Sequence, residues 1–364
     1  MRIAFHSFEG RYSDNPRALY EALVRDGAAA EHEVVWLADP RHGTGFPEDV
    51  ATVPWGTPEG RAALEAADLL VANTHTDCVW DKRPEAVYLQ TWHGTPLKRI
   101  HWDVLWAPEG RLERLQGDVD RWDLLVSPSP AATPLLRGAF HFEGEVLETG
   151  YPRNDVLVGR EAGAVRARVR RELGLADGTT AVLYTPTWRD DAVFEAGGRA
   201  PSLELDVDRF RAGLGADVVL LLRLHYMLTG ALGDLSGDRV LDVSLHPEVA
   251  ELYLAADVLV TDYSSTMFDF GVTGKPQAFF VYDLEDYADR LRGFYFELEP
   301  IAPGPLVRTT GELVRALGDL DGLHARYAER RRAFHERFCG LEDGGATRRV
   351  LDRALALARE RGAR

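Results

Sequence analysis

Four short stretches place polar or ionisable side chains directly behind apolar runs, where a parallel sheet would offer them to a ligand. In the first, VYLQ (87–90) runs into TWHGTPLK (91–98). The imidazole of His93 is the side chain type best suited to accept a proton near neutral pH. The glycine behind it leaves room for a ligand beside the backbone, and Lys98 adds positive charge a few residues on. The bland alternative is a histidine packed in a turn. In the second stretch, AVLY (181–184) leads into TPTWR (185–189). The hydroxyl of Thr187 and the guanidinium of Arg189 suit phosphate oxygens, although a proline turn with a surface arginine would read the same. In the third, VVLLLRL (218–224), apolar at six of seven positions, must be a central strand and delivers His225 to its carboxyl end. In the fourth, VLVT (258–261) is followed by DYSS (262–265) and a helix beginning near Thr266. Ser264 and Ser265, with free backbone N–H groups and the positive end of a helix dipole, make a phosphate site; N-capping by either serine is the alternative.

Positioning these residues requires sheets. The spacing predicts strands over 2–5, 34–37, 69–72, 87–90, 124–127 and 146–148, then 181–184, 218–224, 240–243, 258–261 and 277–281. Helical patterns lie between them, among them 161–173, 247–255 and 266–272. Asp14-Asn15-Pro16 reads as a polar cap with proline at the first helical position, opening a helix to about residue 25. Strands alternating with helices imply parallel sheets covered on both faces. A chain of 364 residues exceeds one ordinary core. The expectation is therefore α/β, two Rossmann-like doubly wound domains facing a cleft, with a helical tail. Residues 1–150 form the first domain, 151–340 the second, and 341–364 a last helix packing back on the first. Arginines at 330–332 and 348–361 read as a solvated helix face, an anionic-membrane contact being the other reading. EAGGRAP (195–201) looks like a mobile loop.

Composition removes several function classes. Apolar residues make up 45% and charged residues 27%, as in soluble globular proteins, and no window approaches a transmembrane length. A net charge of −16 argues against a nucleic-acid partner. Two unpaired cysteines suggest a reducing, cytoplasmic setting, and without a His/Cys cluster no metal or other cofactor is expected. The opening residues lack a signal peptide's apolar core, so contact with a lipid substrate would be peripheral, at the inner face of the membrane. There is no GxGxxG behind a strand and no GxxxxGK[ST], and neither GxSxG nor HExxH occurs.

WHGTPLK (92–98), GYPRND (150–155), YTPTWR (184–189), TDYSS (261–265) and FDF (268–270) together resemble the CDP-glycerol glycerophosphotransferases of teichoic-acid synthesis. KPQAFFVYDLEDY (275–287) and RGFYFE (292–297) look similar too, so the likeness runs from about residue 88 to 308 in order and spacing. The resemblance implies a GT-B-like pair of domains with the CDP-polyol mostly on the second and the acceptor on the first. It gives catalytic roles to His93, as base for the acceptor hydroxyl, and to His225, which meets the donor phosphates, and makes Ser264 and Ser265 pyrophosphate contacts, with Thr187 and Arg189 beside them. Tyr226, Asp269 and Lys98 become contacts to the nucleotide or other substrate. The second-histidine motif departs from the family's Lys-Leu-His-Pro, reading RLHY (223–226). The implied reaction moves glycerol phosphate from CDP-glycerol, or a related unit from CDP-ribitol, to a lipid-linked or polymer alcohol, releasing CMP. A sugar-nucleotide glycosyltransferase of the same architecture and a non-catalytic envelope-assembly partner are the rival readings.

Overall fold

The computed structural model describes residues 1–187, 203–224, 236–287 and 293–363, with the side chains at 42–44 and 286 left out. His225, Tyr226, Arg189 and the 195–201 stretch lie outside the described residues. The chain divides into two units. The first comprises Met1–Thr95, Ile100–Asp155 and Gly340–Arg364; the second comprises Pro96–Arg99 and Val156–Cys339.

The first unit is built on seven parallel strands: β1 (Arg2–His6), β2 (Glu33–Ala38), β3 (Thr52–Pro54), β4 (Leu69–Ala72), β5 (Val87–Gln90), β6 (Leu124–Ser127) and β7 (Glu145–Glu148). Their order is β3-β2-β1-β4-β5-β6-β7, so the winding reverses between β1 and β4. β4, β5 and β6 are buried at every position, as expected for short apolar runs covered on both faces. One apolar cluster packs Ile3, Phe5, Trp36 and Leu89 against Val350, Leu351 and Ala354 of the last helix, Ala346–Gly362. The opposite face packs Leu70, Tyr88 and Leu125 against Trp80, Trp122 and Phe140.

The second unit repeats the plan with β8 (Thr180–Thr185), β9 (Val218–Leu222), β10 (Val240–Asp242), β11 (Val258–Thr261), β12 (Gln277–Phe280) and β13 (Leu306–Val307), all parallel. The order is β10-β9-β8-β11-β12-β13, reversing between β8 and β11. β9 is paired on both sides but lies next to the edge strand, so the centre of the sheet is β8 and β11 rather than the run at 218–224. As a strand it ends at Leu222, and beyond it the Arg223 side chain donates to the carbonyls of Val243 and His246 at 3.2 and 2.7 Å.

The sheet edges and the tail also differ from expectation. The strands β3 and β13, three and two residues long, lie at sheet edges and carry too little apolar pattern to be read beforehand. The arginines of the tail do not form a merely solvated face. Arg349 donates to the Thr149 carbonyl at 2.7 Å, Arg361 to Asp123 at 2.7 Å and to the Ala86 carbonyl at 3.0 Å, and Arg353 pairs with Glu145. The basic side chains thus pin the last helix to the sheet whose apolar face it covers.

Candidate active site

At the carboxyl edge of the first sheet, β5 ends at Gln90, and its side-chain oxygen accepts from the Trp92 amide at 2.9 Å. Trp92 lies in the left-handed region, at φ 52°, which a bulky residue adopts only when its surroundings hold it there. Those surroundings are visible. The indole sits edge-on to Phe140 at 4.7 Å, and the Trp92 carbonyl accepts from Asn15 Nδ2 at 3.0 Å. This twist turns the next residue, His93, back towards the end of β4.

His93 Nδ1 lies 2.5 Å from the carbonyl oxygen of Asn73, the residue after β4. A carbonyl can only accept, so Nδ1 carries the proton and Nε2 carries the lone pair. The ring packs against Trp92 and Phe8, with centroids 4.1 and 5.3 Å away, and stays partly open to solvent. Desolvation by this dense surround pushes its pKa down from 6.5 to about 4; the Asn73 carbonyl and Asp14 pull upward, while Arg153 and His75 push further down. At neutral pH the imidazole is therefore uncharged, with Nε2 able to take a proton.

Beneath it lies a buried polar network. Asp14 and Arg153 form an ion pair at 2.6 Å with 8% and 5% of their side-chain surfaces exposed. Arg153 Nη1 also donates to the His93 carbonyl at 2.9 Å, and the Arg153 amide to Asn15 Oδ1 at 3.1 Å. Asn73, fully buried, donates to Asp14 Oδ1 at 3.0 Å and to Ser7 Oγ at 3.1 Å, and accepts from the Phe8 amide. The helix Asp14–Arg25 consequently does not use its opening residues as expected. Its N-cap is Ser13, without a side-chain cap, and Asp14 and Asn15 turn inward to the network. Sequence reasoning missed Asp14, Asn15, Asn73 and Arg153 as residues that serve the site. The signal was present in ionisable and amide side chains set among apolar neighbours, and in the RN of GYPRND (150–155).

The second unit places its candidates where β8 and β11 end. The hydroxyls of Thr185, Thr261 and Thr266 lie within 3.0–3.3 Å of one another. The buried carboxylate of Asp262 accepts from the Thr187 amide at 2.9 Å and from the Tyr263 amide at 2.6 Å. The two strand ends are thereby tied together with Thr187 between them. Ser264 and Ser265 follow, both half-exposed. Ser265 is the N-cap of the helix Thr266–Gly271 but makes no side-chain cap, while Ser264 Oγ accepts from the Thr266 amide at 3.3 Å. N-capping therefore accounts for at most one serine. That helix has only six residues, so its dipole is a smaller contribution than the sequence suggested.

Asp269 is buried in the same helix. Lys98 belongs to the second unit, its ammonium 5.9 Å from the centroid of Tyr287 and its backbone bridged to Phe294. Tyr263 stacks on Tyr287 at 4.4 Å and donates to Asp283 at 3.0 Å. Tyr263 and Tyr287 are thus core of the second unit. WHGTPLK (92–98) is divided, His93 in one unit and Lys98 in the other.

The family model for CDP-Glycerol:Poly(glycerophosphate) glycerophosphotransferase matches residues 1–356. The chain belongs to this family. The teichoic acid glycerol-phosphate transferase of Staphylococcus aureus is 38% identical over 360 residues, covering 96% of this chain and 91% of that protein. The teichoic acid poly(glycerol phosphate) polymerase of Bacillus subtilis is 34% identical over 96% of this chain, which spans 48% of that longer protein. The wall teichoic acid polymerase TagF, in a variant soaked with CDPG, superposes with a TM-score of 0.89 at 36% identity over 99% of this chain and 89% of that one. The architecture is accordingly the GT-B-like class of paired Rossmann-like domains with a C-terminal helix. This glycerophosphotransferase moves glycerol phosphate from CDP-glycerol in teichoic-acid synthesis, which decides against both the sugar-nucleotide and the non-catalytic readings.

Proposed function

We propose that His93 is the general base of this transferase and that the first unit carries the acceptor. Nε2 takes the proton of the acceptor hydroxyl, and the oxygen forms a bond to the phosphorus bearing glycerol. The bond from that phosphorus to the bridging oxygen breaks, and its electron pair leaves with CMP. What supports the assignment is the Nδ1–H bond to the Asn73 carbonyl, which leaves the lone pair on Nε2. The depressed pKa keeps the ring uncharged at neutral pH and so able to accept that proton.

The donor sits on the second unit in this reading. Ser264, Ser265, Thr187, Arg189 and His225 hold the diphosphate, and Tyr226, Asp269 and Lys98 contact the nucleotide or the rest of the substrate. The half-exposed hydroxyls of Ser264 and Ser265, just beyond the end of β11 and beside β8, support it, since that is where an open parallel sheet binds ligands. CDP-ribitol is the competing donor. The acceptor is a lipid-linked or polymer alcohol, reached by peripheral contact with the inner face of the cell membrane. Among the described residues no helix is long and apolar enough to cross a membrane. Exposed apolar side chains on the first unit, Val79 and Trp106 at 79% and Leu105 at 52%, support contact there rather than through the arginines of the tail.

The test is His93→Ala. CMP release should fall by about 10²–10⁴-fold, while CDP-glycerol binding by calorimetry stays close to that of the parent. Normal turnover by the variant would remove His93 from the mechanism.

A further inference from the structure

We infer that Asp14 and Arg153 are a positioning pair for His93, holding its ring through Asn73 and its backbone directly. The inference rests on His93 being the base.

The bonds form a closed circuit. The His93 ring donates to the Asn73 carbonyl, the Asn73 side chain donates to Asp14, Asp14 pairs with Arg153, and Arg153 donates back to the His93 carbonyl. Ring and backbone of one residue are thus held from two ends by an ion pair whose members are 139 positions apart in the chain. Asn15 adds a third hold by bonding to the Trp92 carbonyl and keeping the left-handed turn before His93. Arg153 is itself fixed from behind. The Tyr151 amide and Asn154 Nδ2 both donate to Glu342 at 3.0 Å, and Asp155 accepts from the Ala346 and Thr347 amides that open the last helix. GYPRND (150–155) is therefore a clamp joining the C-terminal segment to the base.

A buried ion pair is a poor device for stability alone, because desolvation offsets much of its attraction and an apolar pair of similar volume serves as well. A proton acceptor has a stricter need. Its ring must stay in one tautomer and point one way, and misplacement by about 1 Å costs about 10²-fold in rate. The charged and titratable groups acting on His93 among the described residues are Asp14, Arg153 and His75. Asp14 favours the imidazolium and the other two oppose it.

Opposite charges on the two partners give a signature that loss of fold cannot imitate. The full-length enzyme would be assayed for CMP release from CDP-glycerol across pH as Asp14→Asn, Arg153→Met and Arg153→Lys. In each neutralised variant kcat should fall about 10- to 100-fold, with KM for CDP-glycerol within about twofold of the parent. The acid limb of kcat/KM should move to lower pH in Asp14→Asn and to higher pH in Arg153→Met. Arg153→Lys should recover part of kcat and the parental limb. If Arg153→Met does not fold, the near-isosteric Asp14→Asn carries the test alone. Unmoved limbs, or a raised KM at parental kcat, would overturn the positioning role. An active His93→Ala would instead overturn the base assignment, so the two failures are told apart.

Discussion

Both sheets follow one plan, each reversing its strand order once, and in both units the proposed chemistry gathers near that reversal. The means of holding it differ. The first unit surrounds one imidazole with a left-handed tryptophan, a buried ion pair and two buried amides. The second leaves two half-exposed serines beside a knot of threonine hydroxyls and one buried aspartate. A base needs a single tautomer and a fixed direction, and those have to be imposed by several neighbours at once. A diphosphate needs many donors from short, ordinary elements. The comparison teaches that the same edge of the same sheet becomes a rigid or an adaptable site according to what its loops carry.

Acid should separate the two units most. His6, fully buried and stacked on Trp55, His93 and His101 all have their pKa pushed from 6.5 to about 4 by burial. Because the fold disfavours the charged rings, their contribution to stability is complete above pH 6.5 and is lost as pH falls towards 4. For the enclosed His6 alone this amounts to about 3 kcal/mol. In the second unit His246 is shifted the same way. Hydrogen exchange followed from pH 7 to 4.5 should show β1, β4 and β5 losing protection before β8 and β11. Simultaneous loss would break the contrast.

Removing both serine hydroxyls tests the other side. Ser264→Ala with Ser265→Ala should weaken CDP-glycerol binding about 10- to 100-fold, at roughly 0.7–1.4 kcal/mol net for each solvent-accessible hydrogen bond. The melting temperature should fall only slightly, since both side chains are half-exposed and only Ser264 bonds to the start of the helix. Parental affinity in the double variant would move the diphosphate elsewhere. A smaller effect is expected at Gly150, which has φ 80° and where an added Cβ would lie 2.7 Å from Glu342 Oε2. Gly150→Ala should destabilise the first unit by about 1–3 kcal/mol in denaturant titration and lower kcat, because the clamp behind Arg153 is displaced. A parental denaturation midpoint would show that the clamp yields freely. The smallest change is Arg353→Ala, which removes a solvent-screened pair with Glu145 and should cost less than about 1 kcal/mol in the same titration.

Much of this was legible beforehand. The strands β4, β5, β6 and β11 fall where short apolar runs ended by polar turns place them. The family motifs led to the transferase that the relatives support. Edge strands were not legible, because two or three residues carry no period. Nor was the division of WHGTPLK (92–98) between units, since nothing in those seven residues tells which sheet the backbone will join.

The sequence by itself determined the α/β alternation, the apolar sheets and the identity of the groups able to move a proton or meet a phosphate. Those properties are local, set by side-chain type and by repeats only a few residues long. Tertiary structure decided which nitrogen of His93 holds the lone pair and that Asp14, Asn73 and Arg153 keep it there. The reason is distance along the chain: the partners are separated by 59 and 139 positions, and only folding brings their bonds to one place.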